Sequence, residues 1–255
     1  MSNTQMVHPD RKTMRMRPLK ALRHFRNLVA DKEDTEQVFH IIQALSGKSF
    51  LRDLKRFARS SEGKQHIKNK RFLPPILDDH DAIRKLPEGT VGRAYVDFME
   101  SEGLSAAGLV AEYDKFGDKV EHYDDLVEWY SNRLRDTHDL MHVLTGYGRD
   151  ALGEACVLAV SYGHNRSPGV IFISVMGGRE IKKLAPKGAP VMKAVFEGKR
   201  TGKNSLGISY QDIPSLLAEP LEAARKRMGF SVPVEYNRVH EMCRSVGQDP
   251  YQVLT

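Results

Sequence analysis

The chain is short of the residues that build disulfide frameworks and membrane spans. Its 255 residues include only two cysteines, Cys156 and Cys243, and one tryptophan, Trp129. Two thiols cannot make a disulfide framework, which points to a reducing compartment. Long apolar runs are missing as well. The least charged window, residues 155–178, carries Arg166 and Pro168 near its middle, so it reads as two short buried segments and not as a spanning helix. No signal-type apolar region stands at the start, where residues 1–17 are polar and basic. Net charge is small too: 39 Lys and Arg against 33 Asp and Glu leave a formal +6. With 40% hydrophobic and 28% charged residues the composition is neither disordered nor that of an integral membrane protein. A soluble, cytoplasmic globular protein is expected.

One stretch lacks acids altogether. Arg11, Lys12, Arg15, Arg17, Lys20, Arg23 and Arg26 fall in sixteen residues without an Asp or Glu. Two readings stay open. Residues 1–16 can be a flexible, solubilising arm that leads into a helix with a wet face. Alternatively, the basic segment is drawn to anionic lipid headgroups and lies on a membrane surface without crossing it. Nucleic acid is not expected, because no zinc-finger spacing, aromatic RNA-binding signature or basic-region heptad accompanies the charge.

Elsewhere helical periodicity dominates. Behind a cap at Asp34 or Thr35, the residues Val38, Ile41, Ile42 and Leu45 recur at the 3–4 spacing of one buried stripe. Gly47 interrupts the pattern, and Phe50, Leu51, Leu54 and Phe57 resume it. Pro74-Pro75 marks a break, after which Val91, Tyr95, Phe98 and Met99 space helically as core residues. A shorter helix is expected over 104–116. The longest pattern runs from Asp124 to Thr145 and stops at Gly146, a favourable C-terminal residue. Helices are also expected over 151–162, 170–176, 181–196 and 213–228, with the Gly/Lys-rich stretch 198–207 as a separator. No repeat and no dividing linker is visible. The expected architecture is all-α, a single-domain helical bundle over residues 17–255.

The string Thr137-His138-Asp139-Leu140-Met141-His142 carries the chemistry. Histidines at i and i+4 project from one helix face about one turn apart, close enough for both imidazoles to bind one metal ion. Two partly buried, hydrogen-bonded histidines would show the same spacing. Glu154 follows twelve residues after His142, beyond a glycine-punctuated turn that can send the next helix back alongside the first. Asp139 is open to three roles: fourth ligand, general base, or a partner that fixes a histidine tautomer.

His138-Asp139-x-x-His142, then eleven residues, then Glu154 resembles the signature of the coenzyme Q biosynthesis protein 4 family. The surroundings resemble it as well: Arg17-Pro18-Leu19, Glu33-Asp34-Thr35, the string from Leu86 to Tyr95, Phe98-Met99, Gly103-Leu104-Ser105 and Glu219-Pro220-Leu221. The resemblance covers about residues 17–230. It implies an all-α fold, a metal held by His138, Asp139, His142 and Glu154, and an apolar groove for a polyprenyl tail. Residues 162–179 depart from the family pattern, which leaves the groove wall and the preferred tail length open. The absence of an obvious cleavable presequence suggests a bacterial member, peripheral to the inner membrane.

The implied activity is a metal-dependent lyase reaction, the oxidative decarboxylation of a polyprenyl-hydroxybenzoate during ubiquinone synthesis. Two imidazoles and two carboxylates make a neutral site around a divalent ion, with zinc the first candidate and cobalt, manganese or iron also admitted. Expected partners are a polyprenylated benzoate or quinone lipid, other ubiquinone-biosynthesis enzymes, a membrane surface and a second copy of the chain in a homodimer. Two alternatives compete: a non-catalytic lipid-binding scaffold for those enzymes, and an HD-type metal phosphohydrolase, which would need a further His such as His122 upstream. Gly146-x-Gly148 with Gly153 imitates a dinucleotide fingerprint but follows a helix where a strand is required. The stretch 198–204 imitates a phosphate loop with the wrong spacing. Cys156 is expected in the core, and His122, His164 and His240 are read as lone histidines.

Overall fold

The computed structural model describes residues 5–12, 15–31, 34–117 and 122–254. Residues 1–4, 13 and 14 of the expected arm lie outside the described residues, as does Glu33 of the family-like string. Every regular element among the described residues is helical, and the one β-type contact is an isolated bridge between Thr90 and Pro220. No helix among them is long and apolar enough to cross a membrane. The chain divides into two compact units, Met1–Leu140 with Ile208–Leu221, and Met141–Gly207 with Glu222–Thr255.

The first unit begins with α1 (Pro18–Ala30) and α2 (Thr35–Leu45), packed on each other. Gly47 takes φ +41°, a left-handed value that starts α3 (Gly47–Arg59) on a new course. Next come α4 (Ser61–Asn69), α5 (Pro74–Leu77) and α6 (His80–Ile83). The two prolines expected only as a break instead open α5, where their missing amides cost nothing. Asp78 then caps α8 (Ala106–Gly117) from outside, accepting the amides of Ala106 at 2.6 Å and Ala107 at 2.8 Å. Between them lies α7 (Val91–Ser101), which buries Val91, Tyr95, Val96 and Met99. Its start is tied to the segment Ile208–Leu221 of the same unit: the Val91 amide donates to Glu219 O, and the Leu221 amide donates to Gly89 O, both at 2.8 Å. Two of the family-like strings thus meet backbone to backbone.

Leu54, Phe57, Leu126, Val127 and Tyr130 form the core between α3 and α9 (Leu126–Asp136). Residues 5–12 of the expected arm are attached here. Met6 and Val7 pack on this core, and the Arg11 guanidinium forks onto Asp125 with two bonds of 2.7 Å. The expected uninterrupted helix from Asp124 to Thr145 is broken at Thr137, which separates α9 from α10 (His138–Thr145). Thr137 has φ −94° and ψ 6°, and its Oγ1 donates to Arg133 O at 2.9 Å. A threonine hydroxyl that bonds the carbonyl four residues back competes with the helical ladder and bends the chain. Arg133 itself is buried and donates to the carbonyls of Ser209 and Gln211, in and beside the 3-10 turn Ile208–Tyr210.

The second unit contains α11 (Ala151–Asn165), α12 (Pro168–Leu184), α13 (Val191–Asn204), α15 (Leu221–Met228), α16 (Val234–Ser245) and α17 (Pro250–Val253); α14 (Ile213–Ala218) belongs to the first. The uncharged window splits as expected, at Arg166 in a left-handed turn with φ +57°. Three expected boundaries move. The pattern over 181–196 breaks at Pro186 and Gly188, and the pattern over 213–228 breaks at Glu219-Pro220. The Gly/Lys-rich separator is helical as far as Asn204. Its glycines are contact residues: a Cβ on Gly202 would stand 2.1 Å from Val160 O, and one on Gly198 would stand 2.6 Å from Cys156 O. Glycine at this spacing lets the α13 backbone lie directly on α11.

Candidate metal centre

His138, Asp139 and His142 stand on α10 with one donor atom each, and these three atoms lie within 4.8 Å of one another. The break at Thr137 makes His138 the first helical residue and Asp139 a first-turn acid. A carboxylate there suits the positive end of the helix. His142 is buried, and its Nδ1 lies 3.1 Å from Tyr147 O. A carbonyl oxygen only accepts, so Nδ1 carries a proton, and in the neutral ring the lone pair is then on Nε2. That is the tautomer that a metal-binding imidazole needs, oriented by a backbone acceptor in the usual way.

Gly146, at φ +76°, ends α10 and turns the chain. Asp150 then caps α11, its Oδ1 accepting the amides of Leu152 and Gly153 at 3.2 Å. Glu154 therefore falls in the first turn of α11, and its Oε1 lies 3.5 Å from His142 Nε2 and 3.8 Å from Arg149 Nε. The returning glutamate expected from the spacing does meet the histidine at the end of α10. Close packing of the turn supports this, since a Cβ on Gly153 would stand 1.9 Å from Gly148 O. The three donors of α10, two imidazoles and one carboxylate, have the chemistry of ligands for a divalent cation, and Glu154 lies beside His142 without being part of that three-residue group.

A family model described as coenzyme Q (ubiquinone) biosynthesis protein Coq4 matches residues 19–233. The chain belongs to the Coq4 family. A mitochondrial ubiquinone biosynthesis protein COQ4 homolog of Xenopus tropicalis is 27% identical over 72% of this chain and 62% of its own length. The homolog of Aedes aegypti reaches 34% identity over 42% of this chain and 36% of its own. The chain thus spans about a third to two thirds of the curated relatives it matches. A crystal structure of a candidate ubiquinone biosynthesis protein from Nostoc punctiforme superposes with a TM-score of 0.64 at 21% identity, covering 84% of this chain and 99% of that one. It shares the all-α fold.

The remaining sequence candidates fall elsewhere. His122 lies outside any helix, 67% exposed, with its Nδ1 2.6 Å from Glu128 Oε1, which is not the placement of an upstream HD-type ligand. His164 is paired with Ser205 Oγ at 2.9 Å. Cys156 is fully buried, and burial pushes its thiol well above the usual range. Tyr95 is a core residue, as expected, though burial and the carboxylate of Asp139 both push its phenol up. Two hollows lie in the first unit. The larger, about 760 Å³, is lined by His8, Asp10, His122, Glu128 and Trp129 among others. Neither lining includes a member of the histidine cluster, and neither is the expected apolar groove.

Sequence reasoning missed Asp150, Tyr236 and His240 as a connected group. The Tyr236 hydroxyl donates to Asp150 Oδ2 at 2.5 Å and accepts the Gly148 amide at 3.0 Å; His240 Nε2 is 3.2 Å from the same Oδ2. All three are buried. The only signal available was the i, i+4 spacing of Tyr236 and His240, which says nothing about a partner 86 residues away.

Proposed function

We propose that this chain is a metal-dependent decarboxylase of ubiquinone synthesis that acts on a polyprenyl-hydroxybenzoate. The observation that supports this reading above the others is the convergence of three donors on α10, with Glu154 beside His142, in a chain of the Coq4 family. The ion would be held by His138, Asp139, His142 and Glu154, with zinc the first candidate. Bound there, it would supply a Lewis acid for charge that develops on a ring oxygen when the ring–carboxylate bond breaks. His142 offers Nε2 in a fixed orientation because Nδ1–H is spent on Tyr147 O. Asp139, in the first turn of α10, is the candidate general base for the phenolic proton of the substrate. Removing that proton enriches the ring in electrons. In the simple decarboxylation a proton takes up the electron pair that the departing CO2 leaves on the ring carbon; hydroxylation at that carbon would need dioxygen together with a two-electron reductant from outside the chain.

The family implies an apolar groove for the prenyl tail, which neither of the two hollows described supplies, and work at a membrane surface is supported by α1. That helix exposes Leu19 beside Lys20, Arg23 and Arg26, the mixture that anionic lipid attracts. The test is release of labelled CO2 from a carboxyl-labelled prenylated hydroxybenzoate by the purified, metal-loaded chain. His138→Ala combined with Glu154→Ala is expected to lower both metal content and turnover, the latter roughly 100-fold or more. A double variant that keeps both, or a wild type that binds lipid and metal and releases no CO2, contradicts the proposal. The second outcome is the one a non-catalytic scaffold would give.

A further inference from the structure

Two features of the candidate metal centre depend on the shape of the turn between α10 and α11. One is the Tyr147 carbonyl that sets the His142 tautomer; the other is the start of α11, which carries Glu154. A third element, α16, braces this turn. The Tyr147 ring meets the Tyr236 ring edge-on, with centroids 5.3 Å apart. The Tyr236 hydroxyl accepts the amide of Gly148 and donates to Asp150, the residue that caps α11. The space is full: a Cβ on Gly148 would stand 2.8 Å from that hydroxyl. His240, one turn further along α16, packs tilted against Tyr236 with ring centroids 4.2 Å apart and borders the same carboxylate oxygen.

We infer that Tyr236 is a positioning residue for the metal centre, acting through Gly148 and Asp150 to hold His142 and Glu154 beside each other. The inference rests on the metal reading above and deepens it. One hydroxyl closes the turn from both sides, because it satisfies the donor of Gly148 and the acceptor of Asp150 together. Losing it leaves the turn free to shift relative to the capped helix. Outer partners of this kind change metal affinity by about 10–100-fold when removed.

The experiment uses the full chain with cobalt(II) as probe, read by its visible absorption and by a titrated dissociation constant. Tyr236→Phe keeps the ring contacts and removes only the hydroxyl. Tyr130→Phe is its control, because it removes an equally buried hydroxyl, bonded to Asp53 at 2.8 Å, in the first unit. Cobalt binding to Tyr236→Phe is expected to weaken about 10-fold or more, with an altered absorption band, while Tyr130→Phe binds as wild type whatever its thermal stability. Wild-type affinity and absorption in Tyr236→Phe, or equal weakening in both variants, overturn the inference and leave the metal reading standing. A wild type that binds no cobalt overturns the metal reading and this inference with it.

Discussion

Single residues decide where backbones touch. Gly202 and Gly198 on α13 are the clearest case, since a side chain there would strike backbone carbonyls of α11 that cannot swing aside. Gly202→Ala is expected to destabilise the fold by about 1–3 kcal/mol or more, read as a lower urea midpoint. Gly177→Ala, in the middle of α12 with nothing within 4 Å of the added carbon, is expected to be neutral or stabilising by up to about 1 kcal/mol. Equal losses at the two sites would refute close helix contact as the reason for glycine. The sequence showed the glycines but not this use of them. A run of Gly and Lys has the composition of a loop, and only the facing backbone reveals that it is a helix surface. The histidine pair was legible for the opposite reason, because spacing along one helix needs no knowledge of what lies across from it.

At the scale of elements, the informative feature is where helices stop. Thr137 ends α9 by bonding its own carbonyl ladder, and a hydrophobic periodicity that carries straight through it cannot register that event. The start of α9 is held differently. Asp125 caps it, accepts the His8 and Glu128 amides at 2.9 Å, and takes the Arg11 fork, so the N-terminal segment is fastened to the helix it would otherwise leave. Burial works to raise the Asp125 carboxyl, but Arg11 and those amides outweigh it and hold it below the usual carboxylate value. A depressed folded value adds stability that is complete above the unfolded value near ~3.9 and is lost as pH falls through the folded one. Arg11→Ala is therefore expected to cost about 1–3 kcal/mol at pH 7. The gap to wild type should close in unfolding experiments as pH drops below about 4. A gap that persists unchanged at pH 3 would show that the charge on Asp125 is not what Arg11 contributes. Arg11 looked like part of a free arm in the sequence because its acidic partner Asp125 lies 114 positions away.

For the whole molecule, the all-α architecture followed from periodicity, and its likeness to the Nostoc punctiforme structure at 21% identity shows how much sequence change that pattern tolerates. The grouping of His138, Asp139 and His142 on one helix, with Glu154 near His142 one short turn later, was also readable from the spacing. What stayed hidden was everything that spans long separations: the Gly89–Leu221 tie, the anchored N-terminal segment and the support from α16. The proposed chemistry depends on one condition, that the histidine–carboxylate group of α10 and α11 holds a divalent ion. Elemental analysis with native mass spectrometry of the purified chain, beside His142→Ala, tests it most directly. One divalent ion per wild-type chain, absent from the variant, is the expected result. A metal-free wild type, or the same ion content in both, would contradict it.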